Sequence, residues 1–121
     1  MSRLKQAFAR LTADEQDVER AELCADSASA GATAVGRCSV GQPVCVAGTL
    51  RAVVLRPLAG VPTLEAELYD GTGTVTLIWL GRRRIPGIDP GRALVARGRL
   101  TQKDGRYLLY NPTYDLRMAG G

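Results

Sequence analysis

The sequence predicts an all-β domain, a small closed barrel of five strands, preceded by a helical N-terminal extension. Three observations support this prediction. From about residue 43 onward, apolar and polar residues alternate with a period of two, as in half-buried strands. Glycine, proline and aspartate separate the alternating runs and act as turn signals. The chain has 121 residues, of which 45% are hydrophobic, and this is the size and composition of one soluble domain.

The extension is predicted to begin with an amphipathic helix over residues 2–11, SRLKQAFARL. Ser2 is placed to cap its first turn. The apolar side chains recur at helical spacing and are Leu4, Ala7, Phe8 and Leu11. Thr12, followed three residues later by Glu15, has the form of a capping box and indicates a second, weaker helix. Residues 26–42 are small, polar and dotted with glycine, which favours a linker.

The predicted boundary divides residues 1–42, the helical extension and linker, from residues 43–121, the barrel. The five strands are predicted at residues 44–55, 63–70, 74–80, 93–100 and 106–116. Gly48, in the middle of the long first strand, indicates a bulge or a sharp bend. Asp70-Gly71, between the second and third strands, is a strong hairpin signal, because glycine tolerates the positive φ that such a turn requires.

Closure into a barrel is predicted because five short strands in an open sheet would leave exposed edges. The OB-fold is such a Greek-key barrel. The outer face of its second and third strands, flanked by the one-two and four-five loops, binds oligonucleotides. The alternative of a phosphate-binding P-loop in DGTGTVTL is disfavoured, because this stretch has no lysine and leads into a strand. Trp79 shares its strand face with Val75 and Leu77, so it is predicted in the core, with an outward position at the strand end as the alternative.

Basic side chains are concentrated in the predicted barrel. Residues 43–121 hold eleven basic and six acidic side chains, whereas residues 1–42 hold five and six. The barrel is therefore expected to meet an anionic partner, with arginines and a lysine on phosphates and tyrosines stacked on bases. The predicted nucleic-acid-binding residues are Arg51, Arg56, Tyr69, Arg82, Arg83, Arg84, Arg97, Arg99, Lys103, Arg106 and Tyr107, with Tyr110 as a further stacking candidate. A solvated surface for the cations and rim packing for the tyrosines are the alternatives.

Other classes of function have less support. The chain has no histidine, and its three cysteines are irregularly spaced, so we expect no disulfide framework, zinc site or cofactor. Glu65, Glu67 and Asp70 are more typical of a solvated strand face than of a catalytic site, and we expect no enzyme. No apolar stretch approaches the roughly 20 residues of a membrane span, and no secretory signal is present, so a cytoplasmic protein without membrane binding is expected.

Four stretches of the sequence resemble a known family: VAGTLRAVV, LYDGTGTVTLIWLG, GRALVARGRL and YNPTYDL. Their spacing resembles nucleic-acid-binding OB domains related to the wedge domain of the helicase RecG and to the anticodon-binding barrels of class II aminoacyl-tRNA synthetases. It is most similar to small stand-alone OB-fold proteins of actinobacteria. The resemblance covers residues 43–116. RecG-like barrels tend to end the third strand in two aromatic residues, whereas this chain has Trp79 and Leu80. The resemblance implies nucleic-acid binding and no helicase activity.

Two functions from different classes follow from these observations. The first is a nucleic-acid-binding module that holds single-stranded or junction DNA, or RNA, through phosphate contacts and limited base stacking. The second is an adaptor, in which the barrel or its amphipathic N-terminal helix docks on a protein partner and the arginines keep the protein in solution.

Overall fold

The computed structural model describes residues 31–117. The predicted N-terminal helices lie outside these residues. Within them the fold is all-β, as predicted, and a short 3-10 turn, Val35–Arg37, is the one helical element. The strands are β1 (Pro43–Leu58), β2 (Val61–Tyr69), β3 (Thr74–Leu80), β4 (Ala93–Arg99), β5 (Thr101–Lys103), β6 (Arg106–Tyr110) and β7 (Thr113–Leu116). In the same residues, no helix has the length and apolar character that crossing a membrane requires.

The seven strands form one sheet in the order β5-β6-β3-β2-β1-β4-β7. Neighbouring strands are antiparallel except β3 and β6, which run parallel. β1 is long enough to pair with two partners, with β4 up to Thr49 and with β2 from Thr49 onward. Only Leu100 separates β4 from β5. Residues 93–103 therefore pass from the β1 side of the sheet to its β6 edge.

The sheet wraps around one apolar core. Five of the strands and the β3–β4 connection contribute to it, and its members include Val46, Leu50, Leu64, Leu68, Val75, Leu77, Trp79, Ile85, Ile88, Leu94 and Leu109. The core position predicted for Trp79 is confirmed, since this side chain is 5% exposed. Its indole Nε1 donates a hydrogen bond to the Pro112 carbonyl oxygen at 3.1 Å, and its ring packs edge to face on Tyr114 with 5.6 Å between centroids. The indole is thus both packed and hydrogen-bonded.

The predicted strands occur with two differences. The fifth predicted strand is divided into β6 and β7 at Asn111-Pro112, where Asn111 has a φ of +49°. Proline lacks the N–H that a continuous strand would donate, and a left-handed residue turns the chain. The second difference is β5, a three-residue strand after Leu100 that pairs with β6. A strand of three residues is too short to show a recognisable alternation in the sequence.

Of the two features predicted for Gly48, a bulge or a sharp bend, the bulge lies at a different residue of β1. The register with β2 shifts between Leu50 and Ala52, so the bulge is at Arg51 rather than at Gly48. Gly48 has another role, because a Cβ at this position would collide with the backbone carbonyl of Tyr69. The glycine permits the close crossing of β1 and the end of β2.

The segment before β1, which the sequence assigns to a linker, contacts the sheet. The Thr33 N–H donates to the Cys45 carbonyl at 2.8 Å, and Val35 is 2% exposed within the core. The β2–β3 hairpin predicted at Asp70-Gly71 is confirmed, with Tyr69 paired to Thr74. The Asp70 carboxylate lies between the two segments and accepts hydrogen bonds from both.

Candidate nucleic-acid interface

The candidate interface is the outer face of the sheet, which we define as the side chains of β1, β2, β3 and β6 that alternate with core residues. Strand register places Val54, Glu65, Ile78 and Tyr110 in one row across these four strands. The outer face comprises Ala52, Val54, Arg56, Leu58, Val61, Thr63, Glu65, Glu67, Thr76, Ile78, Leu80, Arg106, Leu108 and Tyr110. Directly opposed residues share a side of the sheet, so these residues lie on one face, on which Thr63, Thr76, Ile78 and Leu108 are buried and the others are at least partly exposed.

A groove crosses the middle of the outer face. One part, of about 120 Å³, is lined by residues including Arg56, Glu65, Glu67 and Arg106. It shares Glu67, Thr76 and Arg106 with an adjoining part of about 400 Å³. The Arg56 Nε lies 3.6 Å from the Glu65 Oε1, and the Glu65 side chain is 16% exposed. The floor of the groove therefore carries two carboxylates with an arginine on either side.

Arginines 82–84 lie at the end of the outer face that carries the β1–β2 turn. The Gly81 N–H donates to the Pro62 carbonyl at 2.8 Å, which fixes the start of this loop beside β2. Ile85 anchors the other side of the loop in the core, at 3% exposure. The three arginines are exposed, and none of them forms an ion pair with a carboxylate of residues 31–117. Their charges are directed at solvent.

Lys103 and Arg106 lie at the opposite end of the outer face. They are paired across the β5–β6 hairpin, whose turn is Asp104-Gly105. Both are exposed, and neither forms an ion pair among the described residues. β3 and β6 run parallel, so this hairpin lies beside the start of β3 while arginines 82–84 follow its end. Cations that have no carboxylate partner within residues 31–117 therefore flank the outer face at both ends.

Arg51 and Tyr69 form a stacked pair at the edge of the outer face. The bulge at Arg51 places its guanidinium carbon 3.6 Å from the centroid of the Tyr69 ring. This is the geometry of a cation–π interaction. One face of the Tyr69 ring is covered by the guanidinium and is not open to a base.

Arg97 and Arg99, which the sequence groups with the other cations, lie on a different surface, formed by β4 with the first half of β1 and β7. The Arg97 Nη1 is 2.9 Å from Asp115 Oδ2, and this hydrogen bond raises the pKa of Arg97. The Arg99 guanidinium donates to the Gly41 carbonyl. Both guanidinium groups have intramolecular acceptors.

The two tyrosines of β6 point to opposite sides of the sheet. Tyr107 is paired with Val75, is partly buried and packs against the core. Tyr110 is paired with Ile78 on the outer face and is 39% exposed. The odd spacing between positions 107 and 110 in a strand already separates the two faces. Tyr107 also lines the larger part of the groove, so Tyr110 is the more exposed tyrosine of β6 and the one whose place in the strand is on the outer face.

The alternation of strand residues did not reveal one feature, an apolar patch at the β1–β2 turn end of the outer face. The apolar patch consists of Val54, Leu58, Val61, Leu80 and Tyr110. Each of these side chains is at least 39% exposed. The signal in the sequence is that apolar residues continue beyond Arg56, at Leu58 and Val61, although no residue of the core lies between them.

A second cavity, of about 580 Å³, lies beside the first half of β1 and is lined in part by Arg37, Cys38, Cys45 and Arg97. Burial, together with the nearby Asp70 and Cys45, raises the pKa of the Cys38 thiol. The thiol is therefore protonated at neutral pH, where it is a poor nucleophile.

Comparison with known proteins gives a likeness at the level of the fold. No protein-family model and no curated protein matches the chain. Among solved structures, the structure of RecG bound to a three-way DNA junction matches with a TM-score of 0.56 and 20% identity. The fold resembles part of RecG. The match covers 65% of this chain and 12% of the RecG chain, so the likeness concerns one short segment of RecG.

The likeness to RecG agrees with one part of the resemblance inferred from the sequence. It supports a resemblance to RecG in fold over 65% of this chain. The resemblances to class II synthetase barrels and to actinobacterial OB-fold proteins stay predictions, as does the division of the chain at residue 42.

Proposed function

We propose that this chain is a nucleic-acid-binding module with an OB-type barrel, which acts by binding rather than by catalysis. Strand order supports the barrel. β1, β2 and β3 form a meander, β6 is parallel to β3, and residues 93–103 pair with β1 through β4 and with β6 through β5. With β4 and β5 taken together as one strand, and β6 and β7 as another, the strand order supports the five-stranded Greek-key connectivity of an OB barrel.

The proposed binding surface is the outer face, because the second and third strands of OB barrels bind oligonucleotides on this side. The observation that carries the proposal is its charge distribution: arginines 82–84 at one end and Lys103 with Arg106 at the other have no carboxylate partner among the described residues. β3 spans about 20 Å at 3.3 Å per residue, which accommodates about six phosphates of a stacked strand at 3.4 Å each. A strand lying along β3 would meet cations at both ends.

The likeness to RecG supports nucleic acid as the ligand. That protein was solved in complex with a three-way DNA junction. We propose single-stranded or junction DNA, or RNA, as the ligand of this chain, held mainly through phosphates.

Binding is tested by fluorescence anisotropy with labelled single-stranded DNA, single-stranded RNA, duplex DNA and a three-way junction, each at several salt concentrations. For a single strand, log K should fall against log[salt] with a slope of about −0.7 for each phosphate neutralised. Lys103→Ala/Arg106→Ala should flatten this slope. The charge-matched control is Arg97→Ala/Arg99→Ala, on the other surface, which should leave it nearly unchanged. Absence of binding to all four ligands at low salt would refute the proposal.

An adaptor is the second candidate, and the apolar patch favours it. Exposed apolar clusters on a monomer mark interaction sites more often than scattered apolar residues do. If no nucleic acid binds while Val61→Ser/Leu80→Ser abolishes association with a protein partner, the adaptor is the function.

A further inference from the structure

The apolar patch places five large apolar side chains in solvent on one face of the sheet. Val54, Leu58, Val61, Leu80 and Tyr110 are 41%, 51%, 43%, 42% and 39% exposed. Register puts them on adjacent strands of the same face, so they form one surface rather than scattered positions. Covering such a surface removes apolar side chains from water and therefore lowers the free energy of the protein.

We propose that residues 2–11 of the same chain cover the apolar patch. Their apolar stripe, Leu4, Ala7, Phe8 and Leu11, is that of an amphipathic helix and needs an apolar surface to pack on. The same ten residues carry three basic side chains and no acidic one. Glu65 lies in the row of Val54 and Tyr110, and Glu67 lies in the next row. The segment and the surface are therefore complementary in apolar character, and of the two carboxylates Glu67 is left for the basic side chains, since Glu65 is paired with Arg56.

A second copy of the chain is the other candidate occupant of the apolar patch. In a two-fold symmetric contact each copy presents the same patch, with its carboxylates and with arginines 82–84, so charge does not favour this contact over residues 2–11. Residues 2–11 are tethered to the same chain, whereas a second copy must bind from solution.

The segment can reach the patch. Thr33 is hydrogen-bonded to Cys45, so the described chain begins beside the first half of β1. Cys45 and Leu58 are thirteen residues apart in β1, about 43 Å at 3.3 Å per residue. The twenty residues from Leu11 to Gly31 span at most about 66 Å when extended. A tether of this length holds the segment at an effective concentration of about 1 mM near the patch, which favours it over a partner in solution.

Docking of this segment would cover part of the outer face. The consequence for nucleic acid rests on the proposed function: an oligonucleotide and residues 2–11 would compete for the same surface. The docking itself does not depend on nucleic-acid binding, and the two are measured separately.

The test uses the full chain with Leu4→Ser/Phe8→Ser, which disrupts the apolar stripe. Gln6→Ser/Ala9→Ser, on the opposite side of the predicted helix, is the matched control. The first readout is the backbone amide chemical shifts of Val54, Val61 and Leu80. We expect shifts at these amides in the stripe variant and none in the control. The proposal would be overturned if neither variant changed these chemical shifts, or if both variants changed them equally. It would also be overturned if the chemical shifts of the unmodified chain depended on protein concentration, because this would indicate that a second copy covers the patch.

The second readout starts from the patch. Val61→Ser/Leu80→Ser removes two apolar partners of the segment, and trypsin reports its release by cleavage after Lys5 and Arg10. Cleavage should be about tenfold faster than in the unmodified chain, since a docked segment is cut only when it opens. An unchanged rate would overturn the proposal. In the anisotropy assay the stripe variant should bind oligonucleotide more tightly. If no variant binds oligonucleotide, the proposed function fails, while the amide shifts still decide the docking.

Discussion

The Asp70 carboxylate connects the segment before β1 to the β2–β3 turn, because its Oδ2 accepts a hydrogen bond from the Val35 backbone N–H at 2.7 Å. Its Oδ1 accepts from the Thr72 N–H at 2.8 Å, the Thr72 hydroxyl at 2.7 Å and the Gly73 N–H at 3.1 Å. Asp70 is fully buried, and Val35 is in the core. Hydrogen bonds from several N–H and O–H donors offset the cost of burying a carboxylate.

Replacement of Asp70 should therefore destabilise the fold strongly. Asp70→Ala leaves several buried donors without an acceptor, and we expect the free energy of unfolding to fall by about 3 kcal/mol. Asp70→Asn keeps one acceptor oxygen and should cost less. Urea denaturation followed by circular dichroism measures both. Asp89→Ala, at an exposed position, is the control and should change stability by less than about 0.5 kcal/mol. An equal loss in both alanine variants would contradict this role of Asp70.

The role of Asp70 illustrates how far the sequence alone could predict the structure. Asp70-Gly71 predicts the hairpin from the sequence alone, because turn chemistry is local. The hydrogen bond to Val35 joins residues 35 positions apart, and no local pattern indicates it. Val35 itself stands in a stretch whose small and polar neighbours are typical of a linker.

In the candidate site, too, the sequence predicts what depends on local pattern and does not predict what depends on distant residues. Alternation along a single strand identified the outward side chains of β2, which are Glu65, Glu67 and Tyr69. It could not show that Arg97 and Arg99 lie on another surface, because that depends on which strands are neighbours in the sheet. The stack of Arg51 on Tyr69 depends on a bulge, and nothing in the composition of β1 marks its position.

The close crossing at Gly48 predicts a large difference between two glycine substitutions. Gly48→Ala would drive its Cβ into the Tyr69 carbonyl, a backbone group that cannot rotate away. We expect a loss of at least about 3 kcal/mol in the free energy of unfolding. Gly98→Ala is the control, since its Cβ would meet Leu109 at an ordinary 3.5 Å. Thermal unfolding compares the two, and similar melting temperatures would contradict the close crossing.

Trp79 provides an internal fluorescent probe of the core. Its burial predicts blue-shifted emission that an oligonucleotide barely quenches. Trp79→Ala should destabilise the protein by about 3 to 5 kcal/mol. Trp79→Phe keeps a ring against Tyr114 but loses the hydrogen bond to the Pro112 carbonyl, so it should cost less. Red-shifted emission quenched in proportion to binding would place the indole on the surface instead.

Tyr110 is the tyrosine expected to stack on a base. It is exposed on the outer face beside Ile78, whereas Tyr107 is partly buried against the core and one face of Tyr69 is covered by Arg51. A base stacked on an aromatic ring contributes about 1 to 3 kcal/mol to binding. Tyr110→Ala should therefore weaken oligonucleotide binding about tenfold or more, with the salt slope unchanged because no cation is removed.

Tyr69→Ala is the comparison that makes the Tyr110 prediction specific. It removes a ring that the Arg51 guanidinium already occupies, so the stacking contribution of Tyr69 to binding should be small. The variant also frees Arg51 for a phosphate, which partly offsets any loss. Anisotropy titrations of both variants against one labelled single strand decide between the two tyrosines. A larger loss for Tyr69→Ala than for Tyr110→Ala would move the base contacts from the middle of the outer face to its edge beside the β2–β3 turn.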